Sequence, residues 1–352
     1  MIEDSVFYGR KIREAIDSTP GCECIGWIYD QRDVGDQVRT LDPDAILLDS
    51  QYMDDMQFKY LKEILAVDTY PIVLFVDMET DPYTHCMQGL DHGAVDFLIK
   101  PLQEQMIDWD VFGDMIVKKL VSVARAYPCC QQRRKTNRKP LISSRTSGVA
   151  GAVKGLKAHD IELLVIASST GGVQTLKRVV PLLPKNFPVP IMIIQHMPAG
   201  FTREFAHTLD TLSAIHVKEV EDEDLLQAGT VYIARGGRHV VFRRAKDGQL
   251  HSSFDDRPPV WNLKPYANYS FRSAAEVCGA RVLGVVLSGM GHDGTDGVRD
   301  IKAAGGVTVA QSAKECVLYG MPKSAMLSGY VDHEVDIAAM ADALQKLVGH
   351  SR

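Results

Sequence analysis

Short apolar runs recur along this chain, each followed by an amphipathic stretch. ILLD (46–49), PIVLFV (71–76), IELLVIA (161–167), VPIMIIQ (189–195) and VLGVVLS (282–288) are examples. Runs of this length with no polar alternation fit strands buried on both faces. Intervening helices are what cover both faces of a parallel sheet. The pattern therefore predicts α/β architecture.

The alternation occurs in two blocks. In the first, helices are expected over 7–16, 34–41, 58–67, 83–93 and 110–125, with strands over 24–30, 44–49, 71–76 and 94–101. In the second, strands are expected over 161–167, 189–195, 230–234, 239–242, 282–288 and 307–311, and helices over 173–183, 201–209 and 296–304. Between them, YPCCQQRRKTNRKPLISSRTSGVAGAVKGLKAH (127–159) loses core periodicity and is rich in Arg, Lys, Ser and Gly. It reads as a solvated basic linker. The expected division is a domain over 1–126, a linker over 127–159 and a doubly wound, mostly parallel α/β domain over 160–349.

Several function classes are disfavoured. A formal charge of -6 gives the whole chain no field for nucleic acid. No apolar stretch approaches the roughly 20 residues of a membrane span, and MIEDSVFYGRK lacks a signal-peptide core. The seven cysteines are odd in number; Cys22/Cys24 and Cys129/Cys130 lack zinc spacing. Reduced thiols in the cytoplasm are expected.

Ligands of open parallel sheets bind beyond the carboxyl ends of the strands. There the second block places Ser168-Ser169-Thr170-Gly171-Gly172, then Gln195-His196, then Gly289-Met290-Gly291-His292-Asp293. A hydroxyl, an imidazole and a carboxylate leaving one sheet edge suit a nucleophile, its base and a group orienting the base. Histidine titrates near neutrality, a carboxylate stabilises the imidazolium, and amides at the following helix start offer oxyanion donors. The order Ser–His–Asp matches no common hydrolase, and there is no G-x-S-x-G elbow. A capped strand-to-helix turn is the plainer reading. A phosphate cradle lacks the Walker lysine, and GHDGTDG lacks calcium-loop spacing. From pattern alone either Ser168 or Ser169 is the nucleophile. A serine esterase or amidase acting on another substrate and a non-catalytic signalling scaffold both stay open.

Five ordered motifs narrow this. ASSTGG (167–172), QHMPAGFTREFA (195–206), AGTVYIARGGRH (228–239), LSGMGHDGTDG (287–297) and CVLYGMPKSA (316–325) resemble those of the chemotaxis protein-glutamate methylesterases, the CheB family. The resemblance implies Ser169 as nucleophile, His196 as base and Asp293 as its orienting carboxylate, with Thr170 and the Met290 backbone at the oxyanion. It implies hydrolysis of glutamyl γ-methyl esters on methyl-accepting chemotaxis receptors, with glutamine deamidation as a side activity and no cofactor for the ester chemistry. Two segments depart from the family pattern: RPPVWNLKPYANYSF (257–271) lacks the family's aspartate, and Ala234-Arg235 stands where the family has Ala-Pro. Both are expected to flank the substrate cleft.

The first block resembles a response-regulator receiver domain, flavodoxin-like in fold. The resemblance implies Asp49 as phospho-acceptor, Lys100 as the phosphoryl-contacting lysine, Glu3, Asp4 and Asp49 as Mg²⁺ ligands, and a chemotaxis histidine kinase as phosphodonor. It also implies that the receiver blocks the catalytic domain until phosphorylated. Here too there are departures. The sequence opens at Met1-Ile2, so most of the first receiver strand is expected to be missing. The Ser/Thr expected after the 71–76 strand is Val76 or Asp77, and YMDDMQF (52–58) replaces the usual M-P-x-M-D-G turn.

Overall fold

A computed structural model describes residues 1–29, 32–50, 58–78, 82–101, 108–126 and 156–349. The chain divides into two compact units, Met1–Ser143 and Ser144–Arg352. The division falls inside the basic linker segment, whose residues 127–155 lie outside the described ones, as does the 52–57 turn.

The first unit contains α1 (Val6–Asp17), α2 (Val34–Leu41), β1 (Ile46–Asp49), α3 (Lys59–Val67), β2 (Ile72–Val76), α4 (Pro82–Asp91), β3 (Asp96–Ile99) and α5 (Trp109–Ala126). The strands pair in parallel in the order β1-β2-β3. All five residues of β2 are buried, as expected of a strand covered on both faces.

Of the first receiver strand only a single bridging residue forms, as expected of a strand that is mostly missing. Ile2 bridges Ile28 on one side and Leu48 on the other, both in parallel. Its N–H donates to Leu47 O at 2.9 Å, and its carbonyl accepts from Asp49 N–H at 3.0 Å. The order is therefore 28, 2, β1, β2, β3, the 2-1-3-4-5 winding of flavodoxin-like folds. The strand expected over 24–30 is likewise reduced to one bridge at Ile28, because its described neighbour offers a single pairing position.

The second unit begins β4 (Leu163–Ser168), α6 (Gly172–Val179), β5 (Ile191–Gln195), α7 (Phe201–Leu212), β6 (His216–Glu219), β7 (Thr230–Ile233), β8 (His239–Arg244) and β9 (Leu250–Asp255). It continues α8 (Ala267–Cys278), β10 (Val282–Val286), α9 (Thr295–Ala303), β11 (Val307–Gln311), α10 (Met321–Leu327), β12 (His333–Val335) and α11 (Ile337–Leu347). Among the described residues, seven strands form one sheet in the order β12-β11-β10-β4-β5-β7-β6. Every pairing in it is parallel. Leu163, Val165, Met192, Ile194, Phe271, Val282 and Val286 belong to its core. Burying each such side chain contributes about 1.5–3 kcal/mol.

From β4 the chain winds outward through β5 and returns through β10 on the other side of β4. That makes the carboxyl ends of β4, β5 and β10 a topological switch point, where a crevice for ligands opens. The antiparallel ribbon β8-β9 packs on α8: Ser270 Oγ donates to Val240 O at 2.6 Å and Phe242 N–H donates to Ser273 Oγ at 2.8 Å. This contact fixes where the first turn of α8 ends up.

Candidate active site

β4 ends at Ser168, which is fully buried and donates from Oγ to Gln195 Oε1 at 2.7 Å. That hydroxyl is committed to the core. Ser169 is half-buried, its N–H donates to Ser288 O at 2.9 Å, and its carbonyl accepts from Gly172 N–H at 2.7 Å. Its Oγ makes no hydrogen bond with a described residue, so of the two serines Ser169 has the free hydroxyl.

The plain capping reading is not what forms. Gly171 occupies the N-cap of α6, with φ 74°, and no side chain caps the helix. A Cβ at Gly171 would stand 2.3 Å from Val317 Cβ, so a capping side chain has no room there.

β5 delivers His196, whose N–H donates to Ser168 O at 3.0 Å. Its Nε2 lies 2.8 Å from Asp293 Oδ2 in the loop after β10, with side-chain exposures of 6% and 2%. Asp293 accepts three further hydrogen bonds, from Ala267 N–H (2.6 Å), Asn268 N–H (2.9 Å) and Gly294 N–H (2.9 Å). The first two are first-turn amides of α8, which have no partner within the helix and carry the positive end of its dipole. An ionised, acceptor-only carboxylate suits four donors, and Nε2 is then the protonated ring nitrogen. Nδ1 is left as the acceptor.

Met290, two residues past the Ser288 anchor, has a backbone N–H without a partner among the described residues. Thr170 is buried and its carbonyl accepts from Ser288 Oγ at 2.8 Å.

The α8 amides are a part of the site that the sequence does not announce, since 257–271 points only to a cleft flank. The available signal is the spacing Ala267, Phe271, Ala274, Ala275, Cys278, all buried on α8. Upstream of it, Val260 and Leu263 pair in a two-residue hairpin whose tip presents Trp261, 79% exposed. His239 ties that segment down: Nδ1 accepts from Tyr266 N–H at 3.1 Å and Nε2 lies 3.1 Å from Pro258 O.

In the first unit, Lys100 Nζ lies 2.6 Å from Asp49 Oδ2 and 3.4 Å from Glu3 Oε2, all three groups buried. Glu3 Oε2 is buried and accepts no hydrogen bond. Burial first, then the charge of Asp49, pushes the Glu3 carboxyl up to about 8. One carboxylate oxygen from each of Glu3, Asp4 and Asp49 falls within 4.8 Å of the others. A buried oxygen that accepts no hydrogen bond, in an all-carboxylate set, fits a hard divalent cation. In place of the receiver Ser/Thr, Asp77 N–H donates to Ser50 Oγ at 3.0 Å.

A family model for CheB methylesterase matches residues 164–344, spanning every one of the second unit's candidate residues. The chain belongs to the CheB methylesterase family. Likeness to protein-glutamate methylesterases extends over the whole chain. The protein-glutamate methylesterase/protein-glutamine glutaminase of Idiomarina loihiensis is 31% identical over 100% of this chain and 98% of its own length. That of Vibrio parahaemolyticus is 33% identical over 99% of this chain and 98% of its own. The crystal structure of the Thermotoga maritima CheB methylesterase catalytic domain superposes with a TM-score of 0.51 at 39% identity. It covers 53% of this chain and 98% of that domain.

Proposed function

We propose that this protein hydrolyses the γ-methyl esters of glutamyl side chains on chemotaxis receptors in the cytoplasm, and deamidates glutamines at such positions. The observation that carries the reading is the buried His196–Asp293 pair at the strand ends next to Ser169, its carboxylate saturated by four donors. Relatives that align along their full length bear the matching activity in their names.

Ser169 Oγ attacks the γ-carbonyl carbon and its proton passes to His196 Nδ1. Asp293 stabilises the imidazolium through Nε2–H. The oxyanion is taken up by Met290 N–H and the Thr170 region. His196 then protonates the leaving methoxide, which departs as methanol and leaves an acyl-Ser169 ester. Water attacks that ester with His196 again as base, releasing the glutamate carboxylate and restoring Ser169. With a glutamine substrate the group leaving in the first half is ammonia.

The first unit acts as the control element, phosphorylated on Asp49 by a chemotaxis histidine kinase, with Lys100 contacting the phosphoryl oxygens. Glu3, Asp4 and Asp49 would hold a Mg²⁺ ion, which when bound offsets carboxylate repulsion and phosphoryl charge. Methanol release from a methylated receptor fragment, with and without a small phosphodonor, tests both parts. A faster rate with the phosphodonor is expected, and equal rates overturn the control. Retained activity in Ser169→Ala overturns the nucleophile.

A further inference from the structure

Arg235 opens the turn Arg235-Gly236-Gly237 after β7. The turn is packed against the loop that follows His196: a Cβ on Gly236 would lie 2.3 Å from Pro198 O and 2.6 Å from Ala199 N. Gly236 N–H donates to Thr202 Oγ1 at 3.0 Å. Gly237 N–H donates to Lys264 O at 2.8 Å, in the segment that runs into the α8 amides holding Asp293. Arg235 thus stands at the rim of the site, between the support of His196 and that of Asp293.

Arg203, in the first turn of α7, reaches the same place. Its Nε lies 3.7 Å from Glu219 Oε2, and Arg235 Nε lies 4.0 Å from the same oxygen. Glu219 Oε1 is already engaged by Thr202 Oγ1 at 2.6 Å. Neither arginine donates a hydrogen bond to a described residue. Their side chains are 77% and 46% exposed, against 11% for Glu219. Two guanidiniums around one carboxylate leave these three groups with one positive charge in excess, on side chains that reach solvent. Neighbouring Arg238 and Arg257 differ, each being bonded to its own carboxylate, Asp256 and Asp255.

We propose, resting on the esterase reading above, that Arg203 and Arg235 bind a second carboxylate of the polypeptide substrate. That group is a glutamate or aspartate side chain near the glutamyl ester. A guanidinium fork matches a carboxylate in two parallel hydrogen bonds, and two forks at one rim select for acidic neighbours. Hydrolysis itself converts an ester to a carboxylate, so each turnover on a multiply esterified segment creates a further ligand for the pair.

The test uses the full chain with Mg²⁺ and a small phosphodonor present, and two helical peptides, each with one glutamyl γ-methyl ester, flanked by glutamates in one and glutamines in the other. The wild type is expected to favour the acidic peptide by about fivefold in kcat/KM, through KM, at low salt. Raising the salt to about 1 M shrinks the Debye length to roughly 3 Å and abolishes the preference. Arg203→Gln/Arg235→Gln brings the ratio to about one, and Arg235→Glu inverts it. Methanol released equally from both peptides by the wild type overturns this inference and leaves the esterase standing. A preference that survives the double substitution also overturns it. Methanol from neither peptide overturns the esterase reading and the inference together.

Discussion

His196 Nε2 lies 2.8 Å from Asp293 Oδ2, and that carboxylate is the cap of helix α8. One side chain therefore does two jobs. It satisfies amides that α8 cannot satisfy itself, and it sets which imidazole nitrogen carries the proton. Tyr266, the N-cap residue by position, makes no side-chain cap bond.

Asp293→Asn tests the second job. The amide keeps the shape but presents an N–H₂ group to sites filled with donors, so either a helix amide or His196 Nε2–H loses its acceptor. The imidazole then loses both its tautomer preference and the charge that stabilises its protonated form. A fall in kcat of about 10³–10⁴-fold is expected if the proposed triad operates, following the cost of such a change in serine proteases. Methanol release checks it, and circular dichroism verifies that the fold persists. A loss under tenfold would mean that Asp293 only caps the helix.

Gln195 is a positioning residue between the two strand ends. Buried, it accepts from Ser168 Oγ and donates from Nε2 to Ser169 O at 3.0 Å and His196 O at 3.2 Å. Gln195→Met keeps the bulk but strands the buried Ser168 hydroxyl and the His196 carbonyl. An unsatisfied buried group costs about 1–3 kcal/mol, and a 1 Å misplacement of a reacting group costs on the order of 10²-fold. Urea unfolding should show the stability loss, and kcat should fall more than KM rises. Wild-type kcat in a destabilised variant would assign Gln195 to stability alone.

The site is legible in the amino-acid pattern to the extent that it depends on strand ends. β4, β5 and β10 are continuous apolar runs, so their positions and the residues leaving them follow from hydrophobicity alone. The remainder depends on meetings between distant segments. The start of α8 has no Ser, Thr, Asp or Asn at its N-cap, because its cap comes from Asp293, 26 residues away. β6 and β9 are half-exposed, with too little apolar alternation to stand out from loops. Ile28 sits in an apolar run, but a run cannot show how many pairing positions its neighbour supplies.

His239 gives the second unit a predicted pH dependence. Burial holds its imidazole below the usual range, and the ring is bonded at both nitrogens as a neutral group. The unfolded chain binds a proton near pH 6.5 and the folded chain does so only at lower pH. Stability from this group is therefore present above about pH 6.5 and lost as the pH falls below it. Melting temperature should drop between pH 7.5 and 5.5, and drop less in His239→Asn, which starts out less stable. Equal drops would remove His239 as the cause.

Lys100→Met predicts the opposite pH sense in the first unit. Lys100 Nζ is 2.6 Å from Asp49 and within 3.5 Å of Glu3, so its removal leaves two carboxylates facing each other out of water. Breaking a buried ion pair from one side costs about 3–5 kcal/mol. The Glu3 carboxyl already sits at about 8, and losing the lysine charge raises it further. At pH 6 Glu3 is protonated in the folded state and the repulsion is relieved. At pH 8.5 the folded state must either ionise it beside Asp49 or hold a proton that the unfolded chain has released, and both weaken folding. Urea unfolding of the full chain in a chelating buffer should show a penalty at pH 6 from the lost Asp49 pair and a larger one at pH 8.5. A penalty independent of pH would mean that Lys100 acts through Asp49 and through packing against Tyr8 and Phe75, over whose rings its ammonium lies at 5.3 Å, rather than through Glu3.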